Sequence, residues 1–434
     1  MKAIVAKSRT RPGSLVYGVD SGHLWFDESV DFQNPWPKIA EVEYRGDLPD
    51  GRKAKQGRIA EIIRSRAWVN NLWLTVVPSM GCAMQCGYCY ARDSQPTRPL
   101  NPAKFEEWLK QHGHRFESAL IYGGDGLNFA EHAKMVVDNV QPNALVAFVT
   151  GLGFTMNKLH DKLRHVAAAG AHLCISIDPP GSPYTRVYTP YPGMKWYHEL
   201  IRRIRLIRDE YPGIQLGFRP TLTRNCYNYR HLRKDIEELV GGSYKFNFEP
   251  AEAVPEDELA IQLQADVGEI THGTLSLGKC SYLSKRVQEL MNPDVAFAGG
   301  GCGHYFQKIS VGPDGGVSFC HEMPTKPQVR DEWSFQDGYG QVISKVYETP
   351  EACQRCDYEH ACGTSCPIKL SQGKTDTCPT HKLLTDAALQ ILAETDPAIV
   401  NTVAPRRAEN LRRWAEVDVL TEEELDEYAK LLPV

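Results

Sequence analysis

No run of apolar residues in this 434-residue chain approaches the length of a membrane span, and the opening MKAIVAKSRTRPG lacks the apolar core of a secretion signal. An anchored or exported protein is therefore not expected, and we expect a cytoplasmic one. Charge of one sign is also lacking. The net charge is −5 and the pI near 6.3, which excludes a strongly basic nucleic-acid footprint over the whole surface. Neither internal repeats nor low-complexity tracts are evident. What the chain has in quantity is cysteine, 13 residues, and in such a chain they read as ligands rather than disulfides. Its length allows a sizeable core and more than one domain.

Most of these cysteines fall into two spaced groups. The first, Cys82, Cys86 and Cys89 in GCAMQCGYCY, follows the apolar run Leu72 to Val77, which reads as a buried parallel strand. Active loops of β/α barrels sit at such strand ends. Three thiolates hold three irons of a four-iron cube and leave the fourth iron open to a small molecule. Closely spaced cysteines also suit tetrahedral zinc, but no fourth Cys or His follows closely; the next is His112.

With Tyr88 just before the last cysteine, this loop resembles that of the radical S-adenosylmethionine superfamily. The resemblance implies that the open iron chelates the amino and carboxylate groups of S-adenosyl-L-methionine and that Tyr88 lies against the adenine. Three later stretches are similar to the family's cofactor-binding strand ends. Gly123, Gly124 and Asp125 in GGDG stand where the family has Gly-Gly-Glu-Pro; read alone, the stretch is a good turn. Thr150-Gly151 replaces the commoner Thr-Asn-Gly. Ser176, Asp178 and Arg186 match a Ser-x-Asp strand end followed by an arginine, whose fork suits a carboxylate. Without that context Arg186 reads as a surface arginine.

The second group runs from Cys302 through Gly315 and Cys320 to Cys353, Cys356, Cys362, Cys366 and Cys378. It resembles the SPASM extension of radical S-adenosylmethionine enzymes, which carries two auxiliary clusters, making three 4Fe-4S clusters in all. The resemblance implies that Cys302, Cys320 and Cys366 hold the inner auxiliary cluster, with an open iron or a further ligand such as Cys280 or His304. It assigns Cys353, Cys356, Cys362 and Cys378 to the outer one. A zinc ribbon over Cys353 to Cys366 is the alternative. Cys174 and Cys226 are left over as small buried hydrophobes.

Strand candidates LWLTVV, ALIY, ALVAFV, HLCISI, IQLGFRP and KFNFEP alternate with helical patterns at Pro102 to Gln111, Met156 to Ala169, Trp196 to Asp209 and Tyr229 to Val240. Repeated β-then-α units predict an α/β fold with a parallel sheet. The family expectation is a partial (β/α)6 TIM-like barrel over 71–294, after an N-terminal extension at 1–70 and before a small iron–sulfur domain at 295–380. A helical tail is expected over 381–434, with an apolar patch from Ala387 to Leu392 and a Thr421/Glu424 capping box. From Arg45 to Arg66 the extension is basic, which suits a solvated helix face or an acidic peptide.

Candidate acid or base groups are Glu249, at the end of a predicted barrel strand, and Glu322 and Tyr305, near the inner auxiliary cysteines. The leading expectation is hydrogen abstraction from a peptide or protein side chain, followed by oxidation or crosslinking. Electrons would leave through the auxiliary clusters, and a flavodoxin or ferredoxin would serve as external reductant. The alternatives are a radical enzyme acting on a sugar, nucleoside or amino-acid derivative, and a non-enzymatic cluster carrier or zinc module. No membrane or nucleic-acid partner is expected.

Overall fold

The computed structural model describes residues 1–30, 34, 36–44, 47, 50–89, 99–180, 186–188, 190–191, 194–242, 244–292, 308–318, 351–362 and 375–429. Along the chain, β1 (Lys2–Lys7), β2 (Ser14–Gly18), β3 (Leu24–Asp27) and β4 (Lys38–Glu41) precede α1 (Gly51–Ser65). There follow β5 (Leu72–Val76), α2 (Pro102–His112), β6 (Phe116–Ile121), α3 (Ala133–Asn139), β7 (Leu145–Thr150), α4 (Met156–Ala169) and β8 (His172–Ser176). Next come α5 (Met194–Glu210), β9 (Leu216–Arg219), β10 (Thr221–Leu222), α6 (Tyr229–Val240), β11 (Lys245–Phe246) and β12 (Glu249–Pro250). The remainder comprises α7 (Glu256–Thr271), α8 (Ser281–Met291), β13 (Lys308–Val311), β14 (Val317–Ser318), α9 (Glu351–Gln354), α10 (Cys378–Glu394), α11 (Pro397–Ala415) and α12 (Glu422–Ala429).

Among the described residues, one compact unit takes in 67–252 and 308–318. Its sheet has the order β11-β9-β8-β7-β6-β5-β13-β14, and every pairing is parallel except that of β13 with β14. This is the expected α/β fold, and each predicted barrel strand contributes to it. Strands covered on both faces by crossover helices need continuous apolar sequence, which is why Val146, Phe148 and Val149 are all buried in β7. Beyond β5, the segment that cysteine spacing assigns to the iron–sulfur domain adds β13, with Val311 beside Val76.

The second unit takes in 1–66, 253–292 and 351–428. It includes α7 and α8, which the strand–helix alternation places at the end of the barrel. Its antiparallel sheet runs β3-β2-β1-β4. Period-two alternation sorts β1 between two cores. Ile4 and Ala6 join Tyr17, Phe26, Leu389 and Leu392, whereas Ala3 and Val5 join Val16 and Val42. The apolar patch of α10 therefore covers one sheet face. At the tail, the backbone N–H of Thr421 donates to Glu424 Oε2 (2.9 Å) and that of Glu424 to Thr421 Oγ1 (3.2 Å), closing the predicted capping box.

In the basic stretch around α1, Arg52, Lys53, Arg64 and Arg66 are exposed, as a solvated helix face requires, and three of them are ion-paired. Arg52 pairs with Glu359 (2.8 Å), Arg64 with Glu424 (2.7 Å) and Arg66 with Glu427 (3.6 Å), while Arg58 pairs with Glu61 in the same helix (2.7 Å). Exposed pairs of this kind contribute under about 1 kcal/mol each, so they orient the helix more than they stabilise it. Close packing sets its depth, because a Cβ on Gly57 would sit 1.8 Å from the Trp414 carbonyl oxygen on α11. Gly to Ala inside a helix ordinarily gains about 1 kcal/mol. Here the overlap with backbone reverses the sign, and Gly57→Ala is expected to lose about 1–3 kcal/mol in urea denaturation.

His23 stacks on Trp25 with ring centroids 5.3 Å apart, and burial, together with Arg407 and Arg412, lowers its pKa to about 4. The unfolded chain thus takes up this proton at a higher pH than the folded chain, and stability falls as pH drops from about 6.5 towards 4. A His23→Gln protein should show a smaller loss of stability over that interval, read as denaturation midpoints at several pH values.

Candidate functional site

In the parallel-sheet unit, the cysteine loop leaves the C-terminal end of β5 and is fastened on three sides. Val77 N–H donates to Val311 O (2.8 Å), Gly124 N–H to Ser79 O (2.9 Å) and the Asn128 amide to Gly81 O (2.9 Å). Gly123 adopts φ +101°, and a Cβ there would lie 2.4 Å from Ser79 O; on Gly124 it would lie 2.3 Å from Gly81 O. The close approach that these glycines permit is thus to the backbone of the cysteine loop. The loop's other side is stitched to residues 187–188 by Gln85 N–H donating to Val187 O (2.8 Å) and by a Met84–Tyr188 bridge.

Asp125, the departure from the family turn, is a clamp. Its buried carboxylate accepts from Leu127 N–H (3.0 Å), Thr150 Oγ1 (3.0 Å) and Gly151 N–H (3.1 Å). It thereby caps a 3₁₀ turn at Gly126–His132 and ties the end of β6 to that of β7. Burial pushes its pKa up to about 6 against the opposing pull of those hydrogen bonds. Thr150 also accepts from Leu152 N–H (2.8 Å), so its hydroxyl is engaged inside the turn.

The three thiols occupy different settings: Cys82 at the surface, Cys86 buried, and Cys89 between, with Cys89 N–H donating to Cys86 O (3.2 Å). Cys82 is partly open to solvent, yet burial of its sulfur pushes the thiol up to about 12, with Asp125 adding to the rise. Burial raises Cys86 too, opposed by Arg186. Without a metal Cys82 and Cys86 are neutral thiols; ligation requires the thiolates and releases their protons.

Arg186, Asp178 and Tyr88 form a compact charged group against Cys86. Asp178 is fully buried. Tyr88 Oη donates to its carboxylate (2.8 Å), and Arg186 Nη2 lies 3.1 Å from Asp178 Oδ1 and 2.7 Å from Tyr88 Oη. Arg186 Nη1 is 3.6 Å from Cys86 Sγ. Burial raises the Tyr88 hydroxyl's pKa, so it remains a donor. Arg186 is thus a buried bridge from Asp178 to the cysteine loop, and not the surface arginine of the alternative reading. The Cys226 thiol also donates, to Pro179 O (2.6 Å), a role that its reading as a small buried hydrophobe does not signal. Ser176 ends β8 beside Arg219 of β9. Arg219 in turn holds Glu249 at 2.8 Å, and Glu249 keeps about half of its side chain exposed.

In the other unit the second cysteine group is drawn together. The Cys353 thiol is pushed up to about 11, first by burial and then by Cys362, Cys378 and Cys356. All four sulfurs therefore share one neighbourhood. Cys356 N–H donates to Cys353 O (3.0 Å), and Cys378 opens α10, where the positive end of the helix favours a thiolate. Cys302, Cys320, Cys366, His304, Tyr305 and Glu322 lie outside the described residues. Among the described residues, no three His, Cys, Asp or Glu side chains converge on a single metal ion. In number and chemistry the thiols fit a cluster with several separate irons, each taking one sulfur.

No family model matches the chain. It is 22% identical over 388 residues to an uncharacterised protein of Archaeoglobus fulgidus, an alignment covering 80% of this chain and 87% of that one. Among solved structures it is similar to native anSMEcpe with bound AdoMet and Kp18Cys peptide, with a TM-score of 0.54 and 15% identity over 77% of this chain and 99% of the other. It is also similar to Streptococcus suis SuiB bound to precursor peptide SuiA, with a TM-score of 0.50 and 13% identity over 73% of this chain and 76% of that one. At such identities the likeness is one of fold.

Removing the Asp125 clamp orphans three donors, each costing about 1–3 kcal/mol when buried. Asp125→Ala should therefore lower stability by about 3 kcal/mol or more, and Asp125→Asn, which keeps one acceptor oxygen, by clearly less. Denaturant midpoints of the two variants check this.

Proposed function

We propose that this protein is a radical S-adenosylmethionine enzyme of the SPASM type, which takes hydrogen from a peptide or protein side chain and leaves it oxidised or crosslinked. The observation that carries the reading is the three-cysteine loop at the C-terminal edge of a parallel sheet, with the Arg186–Asp178–Tyr88 group directed at its buried member, Cys86. A four-iron cluster with S-adenosyl-L-methionine supplies one-electron cleavage of a sulfonium, and with it a carbon radical able to take hydrogen from an unactivated carbon. Cys82, Cys86 and Cys89 are the residues that would hold that cluster.

The chain's own residues then divide the work. Arg186 brings a permanent positive charge to the loop and, fixed by Asp178 and Tyr88, presents a planar fork suited to a carboxylate. Gly123, Gly124, Asp125 and Thr150 keep the loop and two strand ends in register, so that Ser176 and Asp178 line the same edge. Glu249, half-exposed and held by Arg219, would take the proton that accompanies loss of an electron from the substrate; Tyr305 and Glu322 are further candidates for that role. Cys302, Cys320 and Cys366 would hold an inner auxiliary cluster, and Cys353, Cys356, Cys362 and Cys378 an outer one. Electrons from the substrate would leave through these, and a flavodoxin or ferredoxin in the cytoplasm would serve as the external reductant for the cluster held by Cys82, Cys86 and Cys89. The peptides named with anSMEcpe and SuiB support a peptide substrate.

Anaerobically reconstituted protein should contain about twelve irons and release 5′-deoxyadenosine on reduction with S-adenosyl-L-methionine. Suitable peptides should become lighter by two hydrogens or crosslinked, as read by mass spectrometry. Cys86→Ala should abolish cleavage. Persistent cleavage in that variant, or uncoupled 5′-deoxyadenosine with every peptide offered, would count against the proposal.

A further inference from the structure

The N-terminal extension has no role in the chemistry above, yet its helix lies on the second cysteine group. The residues of α1 that touch the Cys353–Cys362 turn share one face. A Cβ on Gly51 would lie 2.8 Å from His360 Nε2, and the Arg52 guanidinium grips Glu359 (Nη2 to Oε2, 2.8 Å) while also donating to the Gln354 carbonyl. Lys55 follows Gly51 by four residues and Arg52 by three, which puts it on that same face. It is half-buried, and burial lowers its pKa, while Glu359 first and then Cys353 and Cys362 oppose the fall and favour the charged ammonium. The influence is mutual, since Lys55 opposes the rise in the Cys353 thiol's pKa. With Arg52 also paired to Glu359, the ammonium is shared between that carboxylate and the sulfurs.

Resting on the assignment of Cys353, Cys356, Cys362 and Cys378 to a cluster, we propose that Lys55 is the counter-charge of that outer cluster and raises its reduction potential. Reduction adds one negative charge to a group already made anionic by four thiolates. A cation held close by in a partly dry setting favours the reduced state over the oxidised one. The extension is then an electrostatic part of the electron-transfer unit, making its outer cluster the better electron acceptor. Lys55 acts through the cluster and touches no substrate, so it is a positioning residue.

The test is an anaerobic potentiometric titration of the full-length holoenzyme followed by electron paramagnetic resonance, with iron content measured on each sample. The midpoint belonging to the outer cluster is the one lost in Cys356→Ser protein. In Lys55→Met, this midpoint should fall so that the reduced-to-oxidised ratio at a fixed potential drops about tenfold, equivalent to about 59 mV for a one-electron couple. Lys55→Arg, which keeps the charge, should hold the midpoint near its original value, and the remaining clusters should not move. Lys55→Gln removes the same charge where the Met variant fails to accumulate. An unchanged midpoint in the charge-removing variants, with the cluster present, overturns the inference alone. Parent protein that binds no iron through these four cysteines overturns the cluster assignment beneath it as well.

Discussion

A carboxylate with no access to water has to be compensated, and Asp178 is that carboxylate in this fold. Leaving it unpaired in the interior would cost several kcal/mol. The compensation comes from Arg186 and Tyr88, residues far apart in sequence, and each brings part of the site with it. Tyr88 belongs to the cysteine loop. Arg186 leads into the 187–188 segment that hydrogen-bonds Gln85 and bridges Met84. Neutralising one buried charge therefore closes the loop against the strand ends and leaves a guanidinium nitrogen 3.6 Å from the Cys86 sulfur. The remaining contacts refine this arrangement: the glycines of GGDG let the loop backbone approach, and the Asp125 clamp keeps β6 and β7 level beneath it.

Features whose causes are local were legible in the sequence. The strands β5 to β9 and β11 could be read from apolar runs, α4 and α6 from their periodicity to the terminal residue, and the last helix from Thr421 and Glu424. Cysteine spacing marked the first loop and the group at Cys353, Cys356, Cys362 and Cys378, since fixed short gaps translate directly into shared neighbourhoods. What could not be read depends on partners distant along the chain. The arginines of α1 gave no sign of their ion pairs because their acids, Glu359, Glu424 and Glu427, lie some three hundred residues away. Asp125 looked like a weakened copy of a ligand-binding turn because Thr150 and Gly151, the groups it holds, are on the next strand. Likewise β13 was hidden among cysteines whose spacing spoke louder than its own short apolar pattern.

The two described cysteine groups reach compensation by different means, and the difference bears on what each can do. Each includes a thiol whose pKa burial pushes up, Cys86 in one and Cys353 in the other, so in either case metal loading would convert a neutral group to a thiolate and couple binding to proton release. At Cys86 the opposing charge is a guanidinium fixed in a buried network with Asp178 and Tyr88. Arginine does not lose its proton in any accessible state, and its geometry suits a site meant to hold one arrangement through repeated turnover. At Cys353, among the described residues, the opposing charge is the ammonium of Lys55, and the helix terminus at Cys378 would add to it in the proposed cluster. An ammonium is a compact charge whose effect falls on whichever sulfur or iron is nearest, without the directional fork that would recognise a ligand. The first arrangement can both orient a molecule and balance charge, whereas the second can only set an energy level. That division suits the proposed function, in which one metal group would meet a cofactor and the other would carry electrons.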